Sequence, residues 1–321
     1  MSQTPTQADL EYLAKKWDLA EDIKFYRRVA NFVYFAKHNG TQVVLRLTEA
    51  NRRDESEIKS ELDWINYLHV NGLPVANPIR NREQNLIETT PGPVKYHACL
   101  FSWAVGSELH KLDPLNEAFI RTWGRYLGKM NRLAKSYSPS EKIKPRGDWD
   151  KDSVFLMALE SLEPSDKIPF QRFNDLTKWL GTLPKTPDSY GLIHADLHHG
   201  NFHVQGEQIM AFDFDDSCFH WFVYDLIPAL YSIEKLLCDQ KQPLPRSEIK
   251  DIFLSGYLEY NLLDNIWLSR LETFRNFRSA VIYHWSKTML RNGDFDEKGI
   301  KWARDGFPKL IEEMSEPLKW D

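Results

Sequence analysis

The apolar pattern of this chain changes character once, near Gly106, and that change restricts the fold more than any other feature. Before it, residues 23–29, 32–36 and 42–47 are short runs of β-branched and aromatic side chains, the composition of strands. Asn39-Gly40 separates the second run from the third, as a two-residue hairpin requires. Asp54 and Glu57 then have capping-box spacing, with Asp in place of Ser or Thr. Ile58, Leu62, Ile65 and Leu68 follow at helical intervals until Asn71-Gly72 and Pro74 end the helix. Residues 85–88 and 96–101 read as two further strands on either side of Thr90-Pro91-Gly92-Pro93. Beyond Gly106 the period is helical over 115–135, 170–183, 221–237, 247–260, 269–291 and 298–314, with short strands at 191–193 and 208–212. The pattern predicts an α+β chain: a small β-rich lobe over residues 1–102, then a larger, mainly helical lobe over 103–321, joined near residues 102–106.

Composition narrows the functions open to such a chain. Hydrophobic residues make up 42% and charged residues 27%, a balance that supports a packed core. The net charge of −5, with no basic stripe, argues against nucleic acid as the main partner. No apolar run approaches the ~20 residues of a membrane helix, and the first seventeen residues hold no apolar core of signal-peptide length. Three cysteines, none in a CxxC pair, leave no complete disulfide framework and point to the reducing cytoplasm.

The chemistry concentrates in HADLHHGNFHVQGEQIMAFDFDD, residues 194–216. Asp196 follows a short apolar strand and Asn201 comes five residues later; Asp213 follows a second apolar strand. Loops at strand ends are where a rigid scaffold presents reactive groups, and Asn and Asp are hard oxygen donors suited to Mg2+. His194-x-Asp196-x-x-x-x-Asn201 and Asp213-Phe214-Asp215 resemble the catalytic and metal-binding loops of the aminoglycoside phosphotransferase and choline kinase families, which share the bilobal protein kinase-like fold. The resemblance covers about residues 20–235. It implies that Asp196 is the catalytic, hydroxyl-orienting base, that Asn201 and Asp213 hold Mg2+, and that Asp225 supports the loop from below.

The resemblance extends into the small lobe with two departures. Arg46 stands in the apolar strand 43–47 where protein kinases have Lys, a replacement common among choline kinase-like proteins. Its partner is sought on the next helix. Glu61 lies on the inward stripe, where a carboxylate needs a cation; Glu57 is the alternative. The glycine-rich phosphate loop is missing. Residues 28–32 contain no glycine, so phosphate contacts would fall to the backbone at Ala30 and Asn31. Residues 101–106, with Phe101 and Trp103, resemble the hinge on which adenine rests.

The activity implied is transfer of the ATP γ-phosphate, GTP not being excluded, to a hydroxyl of a small acceptor such as an amino alcohol, aminoglycoside, sugar or amino acid. An atypical bacterial Ser/Thr protein kinase and a nucleotide-binding pseudokinase remain alternatives. The short stretch between Asp213 and Asp225 favours a small acceptor. A zinc site built from His194, His198, His199, His203 and His220 is a further alternative, although the spacing departs from H-E-x-x-H and Gly200 interrupts a helix. Asp215 and Asp216 are read as second-metal ligands or as solvated side chains. Trp267, Glu272, Phe274, Tyr283 and Trp285 are candidates for an acceptor pocket, with plain helix packing as the other reading.

Overall fold

The computed structural model describes residues 4–20, 22–109 and 114–317. The chain divides into two compact units: residues up to Val105 together with Ser138–Pro145, and Gly106–Tyr137 together with the residues from Arg146 onward. The boundary thus falls three residues beyond the expected one. Segment 138–145 belongs with the first unit, where Ser140 bonds to Asp63 through both its N–H and its hydroxyl.

The first unit opens with α1 (Gln7–Trp17), which the strand-rich reading of this region did not include. Its signal is local: Thr6 and Asp9 form a capping box. The antiparallel sheet contains β1 (Lys24–Arg28), β2 (Phe32–His38), β3 (Thr41–Glu49), β4 (Pro78–Ile79), β5 (Glu88–Thr89) and β6 (Tyr96–Ser102). Strand order is β1-β2-β3-β6-β4, with β5 also paired to β6. The β2–β3 hairpin turns at Asn39 and Gly40, with φ of 49° and 76°. Alternation along β3 sends Val43, Leu45 and Leu47 to one face, where they form a core with Leu13, Trp17, Tyr34 and Leu100. Arg46 leaves from the other face and meets α2 (Glu55–Val70), whose N-terminus carries the expected Asp54–Glu57 capping box.

In the second unit the helices are α3 (Glu117–Ala134), α4 (Ser153–Leu159), α5 (Lys167–Leu180), α6 (Phe222–Asp239), α7 (Arg246–Tyr257), α8 (Asn265–Ser269), α9 (Leu271–Asn292) and α10 (Glu297–Ser315). Each helix expected from periodicity is present; α4 and α8 are additional. α9 is buried along most of its length and touches α4, α5, α6, α8 and α10. Two small antiparallel sheets complete the unit: β7 (Tyr190–Ile193) with β10 (Cys218–Trp221), and β8 (Phe202–Gln205) with β9 (Gln208–Ala211). β8 and β10 are additional to the expected strands.

α3 and α7 approach through a glycine seam. A Cβ on Gly124 would lie 2.1 Å from the Phe253 carbonyl oxygen, one on Gly128 2.4 Å from that of Tyr257, and one on Gly256 2.0 Å from that of Arg121. Only glycine permits backbones this close. The seam brings Tyr257 to Asn131, and that contact feeds the site described next.

Candidate active site

The strand β7 ends at Ile193, and the chain kinks immediately at Ala195, which has φ of 67°. A non-glycine residue in this left-handed region is retained only when its surroundings hold it. Both sides do so. The Ala195 N–H donates to Asp225 Oδ1 at 2.9 Å, and its carbonyl accepts from Arg278 Nη1 at 2.9 Å. Asp225, in the first turn of α6, has no solvent exposure. Its Oδ2 accepts from Asn131 Nδ2 at 2.8 Å, Asn131 accepts from the Tyr257 hydroxyl at 2.9 Å, and that hydroxyl accepts from Asn261 Nδ2 at 2.7 Å. Burial pushes the Asp225 carboxyl upward against the opposing pull of His194 and these hydrogen bonds. The buried relay supports the loop from beneath.

The kink presents Asp196, whose side chain keeps 29% of its exposure. Its Oδ1 accepts from Arg278 Nη2 at 2.6 Å. Its Oδ2 lies 3.3 Å from Asn201 Nδ2 and 3.4 Å from His198 Nε2. Burial favours the protonated acid, but His198, Arg278 and His194 outweigh it and hold the carboxyl well below the usual range. Asp196 is therefore an ionised carboxylate near neutrality.

Asn201 and Asp213 are neighbours because of hairpin register. β8 pairs with β9 from Phe202 opposite Ala211, and the ladder continues one step through Phe212 N–H to the Asn201 carbonyl at 2.9 Å. Asp213 follows with φ of 65°. Asn201 Nδ2 donates to the Asp196 carbonyl at 2.9 Å, which commits its amide nitrogen to the loop and leaves the oxygen as the donor a cation could use. One amide oxygen and one carboxylate fit a hard divalent ion that completes its coordination with phosphate oxygens and water. Behind them, the Phe214 ring packs 4.5 Å from His194. Arg146, buried, donates to the carbonyls of Asp215 and Ser217 and pins the turn. Asp215 is itself buried, so the reading of it as a solvated side chain is corrected.

The histidines work separately. His194 bonds to the Phe212 carbonyl, His199 to Ser232, and His220 stacks 4.0 Å from Tyr224. Among the described residues no three His, Cys, Asp or Glu side chains gather where they could hold a metal ion, so the histidine cluster of the sequence is not a cluster in space.

In the first unit, Arg46 Nη1 and Nη2 donate to Glu61 Oε1 and Oε2, both at 2.7 Å, with exposures of 6% and 1%. Glu57, the alternative, instead pairs with Arg53. The Arg46 guanidinium lies 5.1 Å from the Phe101 ring centre. Phe101 is a buried residue of β6, paired with Val44 and Pro78, as the expected strand over 96–101 places it. Trp103, beyond β6, sets its ring edge against Phe35. Ala30 and Asn31 form the turn between β1 and β2. Asn31 Oδ1 accepts from Thr48 Oγ1 at 2.8 Å and from Arg52 Nη1 at 3.1 Å, which ties the turn to the end of β3.

The aromatic acceptor candidates do not line an open cage: Trp267, Phe274 and Tyr283 are buried in helix packing. Trp285 packs with Phe295 and Trp302, and Glu272 lies 3.6 Å from Arg275. Sequence reasoning missed Arg278, Asn131 and Arg146. Arg278 had a usable signal, since it falls on the inward stripe of α9 with Phe274, Phe277 and Val281, and a cation there requires a partner.

The profile of the phosphotransferase enzyme family (APH) matches residues 22–263. Amicoumacin kinase of Bacillus subtilis (strain 168) is 32% identical over 277 residues, covering 84% of this chain and 81% of that protein. Homoserine kinase of Neisseria meningitidis serogroup B is 27% identical over 248 residues, covering 75% of each. The solved amicoumacin kinase hAmiN, in complex with AMP-PNP, Ca2+ and Ami, superposes with a TM-score of 0.83 at 28% identity, covering 97% of this chain and 94% of that one. A kinked loop that presents an ionised aspartate, a hairpin that seats an amide beside a second aspartate, and a family profile spanning well over half the residues lead to one conclusion: the chain belongs to the phosphotransferase enzyme family and is a phosphotransferase of protein kinase-like fold.

Proposed function

We propose that this protein is an ATP-dependent kinase that transfers the γ-phosphate to a hydroxyl group of a small molecule, with Mg2+, in the cytoplasm, where its three cysteines remain thiols. The observation that carries the reading is the partly exposed Asp196 just beyond β7, with Oδ1 held by Arg278 and Oδ2 3.3 Å from Asn201 Nδ2. Asp196 accepts the hydrogen bond of the acceptor hydroxyl and orients its oxygen toward the γ-phosphorus. The new P–O bond forms as the bond to the β-phosphate oxygen breaks, ADP leaves, and the hydroxyl proton passes to Asp196 and then to solvent. Asn201 and Asp213 would hold Mg2+, which neutralises charge on the phosphates. Arg46, steadied by Glu61, meets phosphate oxygens, and the Ala30–Asn31 backbone takes the part of the missing glycine loop.

A small acceptor is favoured by chain length. Only residues 214–217 lie between Asp213 and β10, so no long activation segment for docking a protein substrate is present there. The relatives named for amicoumacin and homoserine support the same class.

The test is thermal unfolding with ATP, with GTP and without nucleotide, each with Mg2+ or chelator, followed by acceptor screening with the preferred nucleotide. Nucleotide at 100 times its Kd adds about 2.7 kcal/mol to the folded state. A Mg2+-dependent shift and subsequent transfer are expected. Folded protein that shifts with neither nucleotide would defeat the reading.

A further inference from the structure

Two arginines on α9 lie one turn apart and have different fates. Arg275 donates to Glu234 Oε1 and Oε2 and is consumed in a buried helix-to-helix pair. Arg278 instead reaches the catalytic loop. Nη1 donates to the Ala195 carbonyl at 2.9 Å and approaches the Tyr224 hydroxyl at 3.4 Å, while Nη2 donates to Asp196 Oδ1 at 2.6 Å. One planar group therefore fixes the backbone of the kinked residue and the carboxylate of the next. Its side chain is 13% exposed, so it is held by α9 and Tyr224, not by solvent.

This grip has a directional consequence. A carboxylate free to rotate would offer either oxygen to an acceptor. With Oδ1 bonded to Arg278, rotation breaks a short charge-assisted bond, and Oδ2 stays on the side of His198 and Asn201. The Ala195 carbonyl bond also resists relaxation of the left-handed kink on which the position of Asp196 depends.

We infer that Arg278 is a positioning residue of phosphoryl transfer: it clamps Asp196 Oδ1 and the Ala195 carbonyl so that Oδ2 faces the acceptor hydroxyl. The inference rests on the phosphotransfer reading above. Arg278 touches neither phosphate nor acceptor in this scheme; it acts through Asp196. A displacement of about 1 Å at such a group costs on the order of 100-fold in turnover.

The experiment compares the unaltered protein with Arg278→Lys and Arg278→Met, measuring kcat and both KM values, with and without low-millimolar guanidinium chloride. The Mg2+-nucleotide melting shift is recorded for each to establish that the nucleotide site is folded. Arg278→Met should lose about 100-fold in kcat while the nucleotide KM is kept. Arg278→Lys should retain part of that loss, and guanidinium should restore part of it to Arg278→Met alone. Should Arg278→Met fail to fold, Arg278→Lys and its partial loss of kcat carry the test. Unchanged kcat per folded enzyme, a raised kcat, or equal losses in both variants without guanidinium rescue would overturn the inference alone. Absence of transfer by the unaltered protein with every acceptor would remove the phosphotransfer reading and the inference together.

Discussion

Arg46 and Arg278 each bind a carboxylate, and the two pairs are built for different ends. At Arg46 both Glu61 oxygens are taken at 2.7 Å and the pair is almost wholly buried. At Arg278 only one Asp196 oxygen is taken, and the carboxylate keeps 29% of its exposure. A carboxylate whose two oxygens are spent can hold its partner but cannot receive a proton or a hydroxyl. One whose second oxygen meets only longer contacts, 3.3 Å from Asn201 Nδ2 and 3.4 Å from His198 Nε2, and keeps access to solvent can. The first pair is an anchor and the second leaves Asp196 able to serve as the base proposed above, although both are Arg–carboxylate contacts of similar length.

The sharpest way to break this comparison is Asp196→Ala. Loss of a general base should reduce transfer about 10³-fold and leave nucleotide binding intact, as read by steady-state kinetics and by the melting shift. Retained turnover would make Asp196 another anchor. The converse substitution, Glu61→Ala, should act first on stability. It leaves the Arg46 charge buried without its carboxylate, at about 3–5 kcal/mol in denaturant unfolding. The double replacement Arg46→Met with Glu61→Leu should recover most of that stability without recovering phosphate binding, which would separate anchoring from function. Asp213→Ala should abolish the Mg2+-dependent part of the nucleotide melting shift, about 2.7 kcal/mol at 100 times Kd, while any metal-independent part persists. An unchanged chelator response would move the ion elsewhere.

Smaller effects refine the picture of what supports the base. Asn131→Leu removes the donor to Asp225 Oδ2 and the acceptor for Tyr257. It should destabilise by about 2 kcal/mol and slow transfer, because the Ala195 kink loses its backing; urea unfolding and kinetics measure both. Acid should distinguish the two units. Burial pushes His220 well below its ordinary value, aided by Lys185 and Arg278, and burial also lowers His284; in the first unit burial lowers His97. In each case the unfolded chain takes up a proton that the folded chain refuses. Stability is therefore full above about pH 6.5 and falls as pH drops from there toward the folded-state values, by up to about 1.4 kcal/mol per pH unit per group. Hydrogen exchange at pH 7 and pH 5 should show the larger loss of protection in the second unit, and His220→Phe should reduce it.

Much of the site was legible because its residues are close in sequence. Arg46 and Glu61 are 15 residues apart, on a strand and the next helix, and an apolar stripe interrupted by a charge on each element names the other as partner. Asp196 and Asn201 share one loop, and Asp213 follows on the hairpin that begins there. The strand expected over 96–101 is present and runs one residue further, to Ser102, with Phe101 paired to Val44 and Pro78. The histidines were suggestive because sequence proximity says nothing about direction; alternate strand faces and a kinked loop send their rings to different partners.

The sequence by itself therefore determined most of the strands and helices, the buried Arg46–Glu61 pair, and the loop on which the proposed base Asp196 lies, since these depend on local periodicity, capping and short-range spacing. The tertiary structure decided how that carboxylate is held. Arg278 reaches Asp196 across 82 residues of chain, Asn131 reaches Asp225 across 94, and both contacts depend on helix packing, including a seam where only glycine fits. Contacts of that separation are set by which helix faces meet in the packed unit, a property of the three-dimensional arrangement that no local pattern encodes.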